Sequence, residues 1–146
     1  MATPAQRTNT WTLDEWYDQN VAGTSGGYEY DGSNGYKLWV WGWDNSGQLG
    51  QNVWGGTKYV DPVQLPGTYK TIAGTMGLVS TIAVKSDNTL WSWGYNAAGQ
   101  LGNNSLTNRS SPIQIPGTNW NSAAQGTGTW ATRTNGTLWA WGNNQQ

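Results

Sequence analysis

The sequence lacks the side chains that most catalytic and metal sites use. It contains no His and no Cys, so an imidazole base, a thiolate nucleophile and a soft metal site are all excluded. Its carboxylates are Asp14, Glu15, Asp18, Glu29, Asp31, Asp44, Asp61 and Asp87. No two of them recur together so as to place an acid and a base across a bond. We therefore expect no enzyme activity, no catalytic residue, no cofactor and no metal.

One acidic stretch, Asp44-Asn45-Ser46-Gly47, is similar in composition to a calcium-binding loop. It lacks the alternating oxygen ligands and the terminal Glu that such a loop needs. A second copy of the stretch carries Asn96 where the first carries Asp44. These observations favour a turn over a cation site.

The twelve Trp are the other chemically distinctive residues, because an indole can either stack on a sugar ring or fill a protein core. Six of them recur in pairs, and for these we predict core packing: Trp39, Trp41, Trp91, Trp93, Trp139 and Trp141. Four do not recur, and for these we predict a surface position with possible ligand contact: Trp43, Trp54, Trp120 and Trp130.

The paired tryptophans belong to a repeated motif, Leu-Trp-x-Trp-Gly, that begins at Leu38, Leu90 and Leu138. The first two copies continue into Gly-Gln-Leu-Gly, at residues 47–50 and 99–102. The copies are 52 and 48 residues apart, a period typical of propeller blades or solenoid units. The repeat is the unit of the fold.

Four short strands are predicted for each period. The Leu-Trp-x-Trp strand is followed by a Gly/Asn-rich loop and a Pro-flanked strand, Asp61–Gly67 in the first copy. Strands at Tyr69–Ala73 and Ser80–Val84 come next, and a tight turn leads into the following motif. Four strands of this length form one blade of a β-propeller. The prediction is an all-β fold with two full repeats and the start of a third.

The N-terminal residues form a separate region. Thr12 and Glu15 have the spacing of a helix capping box, which predicts one short helix over about residues 13–22 after a loose arm. Such a helix is too short to be stable alone and should dock on something. We assign residues 1–23 to an anchoring segment and residues 24–146 to the repeat region. The side chains that would anchor it are Trp11, Leu13, Trp16 and Tyr17.

The charge pattern excludes some partners. The net charge is −1 and the seven basic residues are scattered singly, so no cluster is available to neutralise phosphates. No apolar run reaches the ~18 residues that span a bilayer. We expect neither nucleic-acid binding nor membrane insertion, and no cleaved signal peptide.

The Trp-Gly and Gly-Gln-Leu-Gly elements, with a Pro-containing strand at a period of about 50 residues, resemble the regulator-of-chromosome-condensation (RCC1-like) repeat. The resemblance covers about residues 36–146 and implies a propeller of seven four-stranded blades, used in the family for protein docking, chromatin binding or nucleotide exchange. This chain departs from the pattern in having few repeats, and Ser80-Thr81 and Gly128-Thr129 stand where the family often has His. The exchange function therefore does not carry over.

The order of arm, Trp-rich helix and Trp/Asn/Gly-rich repeats also resembles RCC1-repeat proteins of tailed bacteriophages, particularly cyanophage-like ones. That resemblance implies a virion structural protein of the tail, baseplate or capsid surface. Its partners would be other virion proteins, copies of itself, or a protein or glycan of the host surface.

Two other interpretations stay open. One is a lectin whose propeller is completed by oligomerisation, since a few repeats leave an apolar edge that must be covered. The other is a fragment of a longer propeller, because Gln145 and Gln146 fall inside the motif.

Overall fold

The computed structural model describes residues 35–74 and 79–143, and every regular element in these ranges is a β-strand. The strands are β1 (Tyr36–Asp44), β2 (Thr57–Gly74), β3 (Ser80–Lys85), β4 (Leu90–Gly94), β5 (Arg109–Ile115), β6 (Trp120–Gln125), β7 (Gly128–Arg133) and β8 (Leu138–Gly142). The predicted all-β fold is confirmed. The predicted helix and segment 1–23 lie outside the described residues. The described part contains no helix that could cross a membrane.

The strands run antiparallel to their neighbours in two sheets. One sheet has the order β1-β2-β3-β4-β5 and the other has the order β6-β7-β8. Consecutive strands are therefore adjacent throughout each sheet, which is the up-and-down connectivity of propeller blades.

Strand β2 serves two blades. Its residues 57–65 pair with β1 and its residues 69–74 pair with β3, and Tyr69 pairs with both, with Tyr36 on one side and Lys85 on the other. The sequence predicted two strands here, and the structure joins them through Gly67, whose φ of +98° only glycine adopts readily. At the equivalent place in the next repeat, β5 ends at Ile115 and β6 begins at Trp120, so the two strands are separate there, as predicted.

We define three blades from this pairing. The first blade is β1 with residues 57–65, the second is residues 69–74 with β3, β4 and β5, and the third is β6, β7 and β8. The second blade has all four strands, in agreement with the predicted unit.

The core lies between blades, in two clusters of buried side chains. The cluster at the first and second blades consists of Val40, Leu65, Tyr69, Ala83 and Trp93. The cluster at the second and third blades consists of Ile82, Val84, Leu90, Ile115, Trp120 and Ala131. The second and third blades therefore each pack their tryptophan-bearing face against the aliphatic face of the blade before them.

The prediction of core packing is confirmed for only some of the six paired tryptophans. Trp93 is fully buried, and Trp91 and Trp141 are partly buried against the two clusters. Trp39, Trp41 and Trp139 are exposed, so the prediction is wrong for them. For Trp39 and Trp41 the physical reason is that no described blade precedes the first one.

Candidate functional site

The Gly-Gln-Leu-Gly turn of the second repeat is held by two side chains, Asn96 just before the turn and Gln100 within it. Asn96 accepts a hydrogen bond through Oδ1 from the Leu101 backbone N–H at 2.9 Å. The Oε1 atom of Gln100 accepts one from the Ala98 N–H at 2.9 Å. These two bonds fix the loop and leave the backbone carbonyl of Gln100 facing the next blade. Asp44 takes the place of Asn96 in the first repeat.

The turn of the first repeat meets the second blade at its Gln48 carbonyl. That oxygen accepts hydrogen bonds from Trp93 Nε1 at 2.7 Å and from Thr81 Oγ1 at 3.0 Å. The backbone of Gly50 lies so close to the Trp93 indole that a Cβ there would come within 3.1 Å of Trp93 Nε1. We call this contact between two blades a joint: one backbone carbonyl that accepts two hydrogen bonds, and one glycine that lies beside the indole.

The same joint recurs between the second and third blades. The Gln100 carbonyl accepts hydrogen bonds from Trp141 Nε1 at 3.0 Å and from Thr129 Oγ1 at 2.8 Å. A Cβ on Gly102 would lie 2.5 Å from Trp141 Nε1, too close for any other residue. The Gly-Gln-Leu-Gly sequence is therefore repeated because each copy accepts the tryptophan of the following blade.

A cation lies against the first tryptophan of the second and third motifs. The guanidinium of Arg133 lies between the rings of Trp120, at 4.5 Å, and Trp139, at 4.6 Å. In the second blade the ammonium of Lys85 lies 3.8 Å from the centre of the Trp91 ring. Cations at these distances are attracted to the ring faces. The two tryptophans of a motif therefore have different roles, one in the joint and one under a cation.

One face of the first blade is left without a neighbour among the described residues. Trp41 occupies the position of Trp93 in the repeat, yet it is 62% exposed whereas Trp93 is 0% exposed. Trp39, two residues earlier, is also exposed. We call this surface, defined by Trp39 and Trp41, the head face.

The third blade has an uncovered face on its opposite side. Trp130 pairs with Ala140 across the sheet and Leu138 pairs with Thr132, so their side chains share one face. Leu138 is 67% exposed, although Leu90, its equivalent in the second blade, is 0% exposed. We call this surface, defined by Trp130, Leu138 and Ala140, the tail face. A shallow cleft of about 440 Å³ opens there, lined by Gly128, Trp130, Ala140, Trp141, Gly142 and Asn143.

Of the four tryptophans predicted at the surface, Trp43, Trp54 and Trp130 are exposed. The fourth prediction is wrong, because Trp120 is only 2% exposed. Trp120 begins β6 and packs edge-on against Trp139 and Trp141, within the cluster that joins the second and third blades. The predicted anchoring residues Trp11, Leu13, Trp16 and Tyr17 lie outside the described residues.

Asp44 is the only buried carboxylate in the described ranges. It is fully buried, and its Oδ2 atom has no hydrogen-bond partner. Burial raises the pKa of this carboxyl, and the hydrogen bond from the Leu49 N–H lowers it in part. No group of three or more acidic side chains that could hold a metal occurs in the described ranges. The hydrogen bond to Leu49 supports the interpretation of this stretch as a turn.

The acceptors and hydroxyl donors of the joints do not stand out in the sequence. Thr81 and Thr129 stand where the family often has His, and the two Gln belong to a turn motif. The available signal was that Gly-Gln-Leu-Gly is identical in both copies while the residues before it differ.

Comparisons with known proteins agree with this architecture. The family model "Regulator of chromosome condensation (RCC1) repeat" matches residues 87–127. The ultraviolet-B receptor UVR8 of Arabidopsis thaliana is 35% identical over 78 residues, which is 52% of this chain and 17% of UVR8. Residues 87–127 are thus similar to an RCC1 repeat.

Solved structures of the same type also match the chain. Human WBSCR16 matches with a TM-score of 0.62 and 26% identity, over 75% of this chain and 29% of its own. Yeast RCC1 (Prp20), solved with Kap60 bound to it, matches with a TM-score of 0.57 and 25% identity, over 75% and 26%.

A third structure, Prp20p from Saccharomyces cerevisiae, was described with its binding to Gsp1p and histones. It matches with a TM-score of 0.59 over 73% of this chain and 29% of its own, and at 22% identity it supports the fold alone. The described blades have the RCC1-like propeller fold. The chain spans less than a third of each of these proteins.

Proposed function

We propose that this chain, which carries RCC1-like repeats, is a non-enzymatic interaction protein whose blades present a binding surface to another protein. The observation that carries the proposal is the division of the tryptophans into two groups. Those of the second repeat are used in a joint and in a cation stack, whereas Trp43 and Trp54 are exposed around the loop that follows β1. Exposed aromatic side chains are typical of protein-binding surfaces.

Two further observations support a binding role over catalysis. The polar groups of the repeat are occupied in holding blades together, as at the Gln48 and Gln100 carbonyls. One of the similar structures, yeast RCC1 (Prp20), was solved with a protein partner, Kap60. We propose accordingly that the chain has no enzyme activity.

The interaction can be tested with two sets of variants. We expect a partner retained by the immobilised chain to be lost when Trp43 and Trp54 are both changed to Ala, because their indoles supply the exposed apolar area of that loop. Leu106→Ala, at another exposed apolar position, is the matched control and should retain it. Equal retention by both variants would contradict the proposal.

The setting that we propose is a virion, with segment 1–23 as the anchor and the blades facing outward. The support is the sequence order of a polar arm, a capped Trp-rich segment and repeats without a basic cluster. The chain would then lie at the tail, baseplate or capsid surface and contact other virion proteins.

The test of this setting is incorporation into particles of the virus that encodes the chain. A version lacking residues 1–23 should be absent from purified particles, whereas the version with Trp43→Ala and Trp54→Ala should still be incorporated. Incorporation of the shortened chain at the full level would show that the anchor lies elsewhere.

A carbohydrate ligand is the second candidate. The observation that favours it is the cleft on the tail face, where the exposed Trp130 forms part of the lining and offers an indole ring for stacking. Binding on a glycan array that disappears with Trp130→Ala and persists with Trp43→Ala would support a lectin. An array without binding would exclude this candidate for the glycans it displays.

A further inference from the structure

The two joints inside the chain define which surfaces of a blade fit together. At each joint the face that carries the motif tryptophans packs on the aliphatic face of the preceding blade. Trp93 packs with Val40 and Leu65 of the first blade, and Trp141 packs against the cluster that contains Ile82 and Leu90 of the second. The chain therefore contains the same interface twice.

The head and tail faces are the two unmatched halves of that interface. On the head face, Trp39 and Trp41 stand where Trp91 and Trp93 stand in the second blade, and both are exposed. The tail face is the equivalent of the aliphatic surface, with Trp130 and Leu138 in the positions of Ile82 and Leu90. The residues that define the two faces are all apolar. Each surface has the character that the other one needs.

We propose that a second copy of this chain covers these faces, with the head face of one copy packed on the tail face of the next. Such a contact is heterologous, because the two surfaces are different and one copy keeps a free head while the other keeps a free tail. Association therefore continues beyond a dimer, until a ring closes or as an open chain. The proposal does not depend on what the blades bind or on where the protein acts.

The contact between copies differs from an internal joint in one respect. Both Gly-Gln-Leu-Gly turns of the sequence already accept hydrogen bonds, from Trp93 and from Trp141. Neither of these turns is free to accept the indole N–H of Trp41 of another copy. The contact between copies therefore consists of apolar packing, and the association depends on concentration.

The experiment uses three matched substitutions in the full chain. Trp41→Glu breaks the head face, Leu138→Glu breaks the tail face, and Leu106→Glu is the control at an exposed apolar position of neither face. All three side chains are exposed, so the fold should persist, which far-ultraviolet circular dichroism and a cooperative unfolding transition in urea would check.

Light scattering over a hundredfold range of concentration gives the readout. The unmodified chain and Leu106→Glu should form species larger than a dimer, whereas Trp41→Glu and Leu138→Glu should each stay monomeric. An equimolar mixture of the two monomeric variants should form a dimer and nothing larger, because it contains one intact head and one intact tail.

Three results would overturn the proposal. The first is an unmodified chain that is monomeric throughout, which would mean that residues 1–34 or another protein cover the head face. The second is a mixture that stays monomeric, and the third is association that survives either face substitution.

Discussion

The first and second repeats carry nearly the same motif in different surroundings. Trp93 of the second repeat is 0% exposed and donates to the Gln48 carbonyl, whereas Trp41 of the first repeat is 62% exposed. Asn96 donates to three oxygens of its own loop, whereas Asp44 leaves one carboxylate oxygen buried without a partner. The motif therefore specifies a strand and a turn, whereas the contribution of each of its residues to stability depends on the neighbouring blade.

Truncation should separate the two equivalent tryptophans, Trp93 and Trp41, most clearly. Trp93→Ala should lower the free energy of unfolding by about 3–5 kcal/mol, because it opens a cavity at the joint and leaves the Gln48 carbonyl with one donor fewer. Trp41→Ala should change it by less than about 0.5 kcal/mol, since the side chain is exposed. Urea denaturation at a concentration where the chain is monomeric measures both. Equal losses would mean that Trp41 is buried by residues of the same chain.

The second comparison exchanges the residues of the two turns. Asn96→Asp should destabilise the fold by about 2–4 kcal/mol, because the Nδ2 atom that now donates to the Ser105 and Thr107 carbonyls would become an oxygen facing them. The reverse change, Asp44→Asn, should be neutral or stabilising by about 1 kcal/mol at pH 7, because it replaces a buried carboxylate oxygen that lacks a partner.

The pH dependence of Asp44→Asn sharpens this test. Burial raises the folded-state pKa of Asp44 above its value in the unfolded chain. The stability that the protonated carboxyl contributes is then fully present below the unfolded pKa and is lost as the pH rises through the folded pKa. The advantage of Asp44→Asn over the unmodified chain should therefore grow as the pH is raised from about 4, the ordinary carboxyl pKa, towards 7. Parallel stability curves would contradict it. The lowered pKa of Asp87 is common to both proteins and cancels.

A third comparison uses the glycine that ends each motif. Gly42 and Gly94 have similar φ values, +105° and +99°, so alanine is strained at both. Only at Gly94 would the added Cβ clash, at 2.5 Å from the Val79 carbonyl oxygen and 2.8 Å from the Ser80 Cα. Gly94→Ala should therefore cost about 2 kcal/mol more than Gly42→Ala in thermal unfolding. A smaller difference than that would mean that β3 moves aside readily.

The sequence was sufficient for the part of the fold that depends on local pattern. The period of the Leu-Trp-x-Trp-Gly motif identified the repeat, and alternation with turn residues identified the strands of the complete second blade. The prediction of two strands was wrong for the first copy, because the backbone stays extended through Pro66 and Gly67 while its pairing passes from β1 to β3.

The burial of individual tryptophans was not predictable in the same way. Strand alternation places Trp39 and Trp41 on one face, but whether that face is covered depends on a blade beyond the motif itself. The lack of a second Trp predicts a surface position for Trp120, but the strand that it begins matches Tyr69–Ala73 of the preceding repeat. Tyr69 and Trp120 are both buried, so an aromatic residue, rather than Trp itself, is what recurs at this position.

The smallest expected effect concerns the cations over the first tryptophan of the motif. Lys85→Met keeps the aliphatic stem and removes the ammonium that lies 3.8 Å from the Trp91 ring, so it should destabilise the fold by about 0.5–1 kcal/mol. Lys58→Met in the first blade is the control, because its ammonium lies 5.9 Å from the exposed ring of Trp43 and should contribute about 0.5 kcal/mol or less. Urea denaturation at low and high salt separates the two, since a partly buried stack is screened less than an exposed one. Equal losses of stability in both variants, at low and at high salt, would contradict this. They would mean that the Lys85 ammonium makes a surface contact like that of Lys58, and that the joint alone stabilises this part of the second blade.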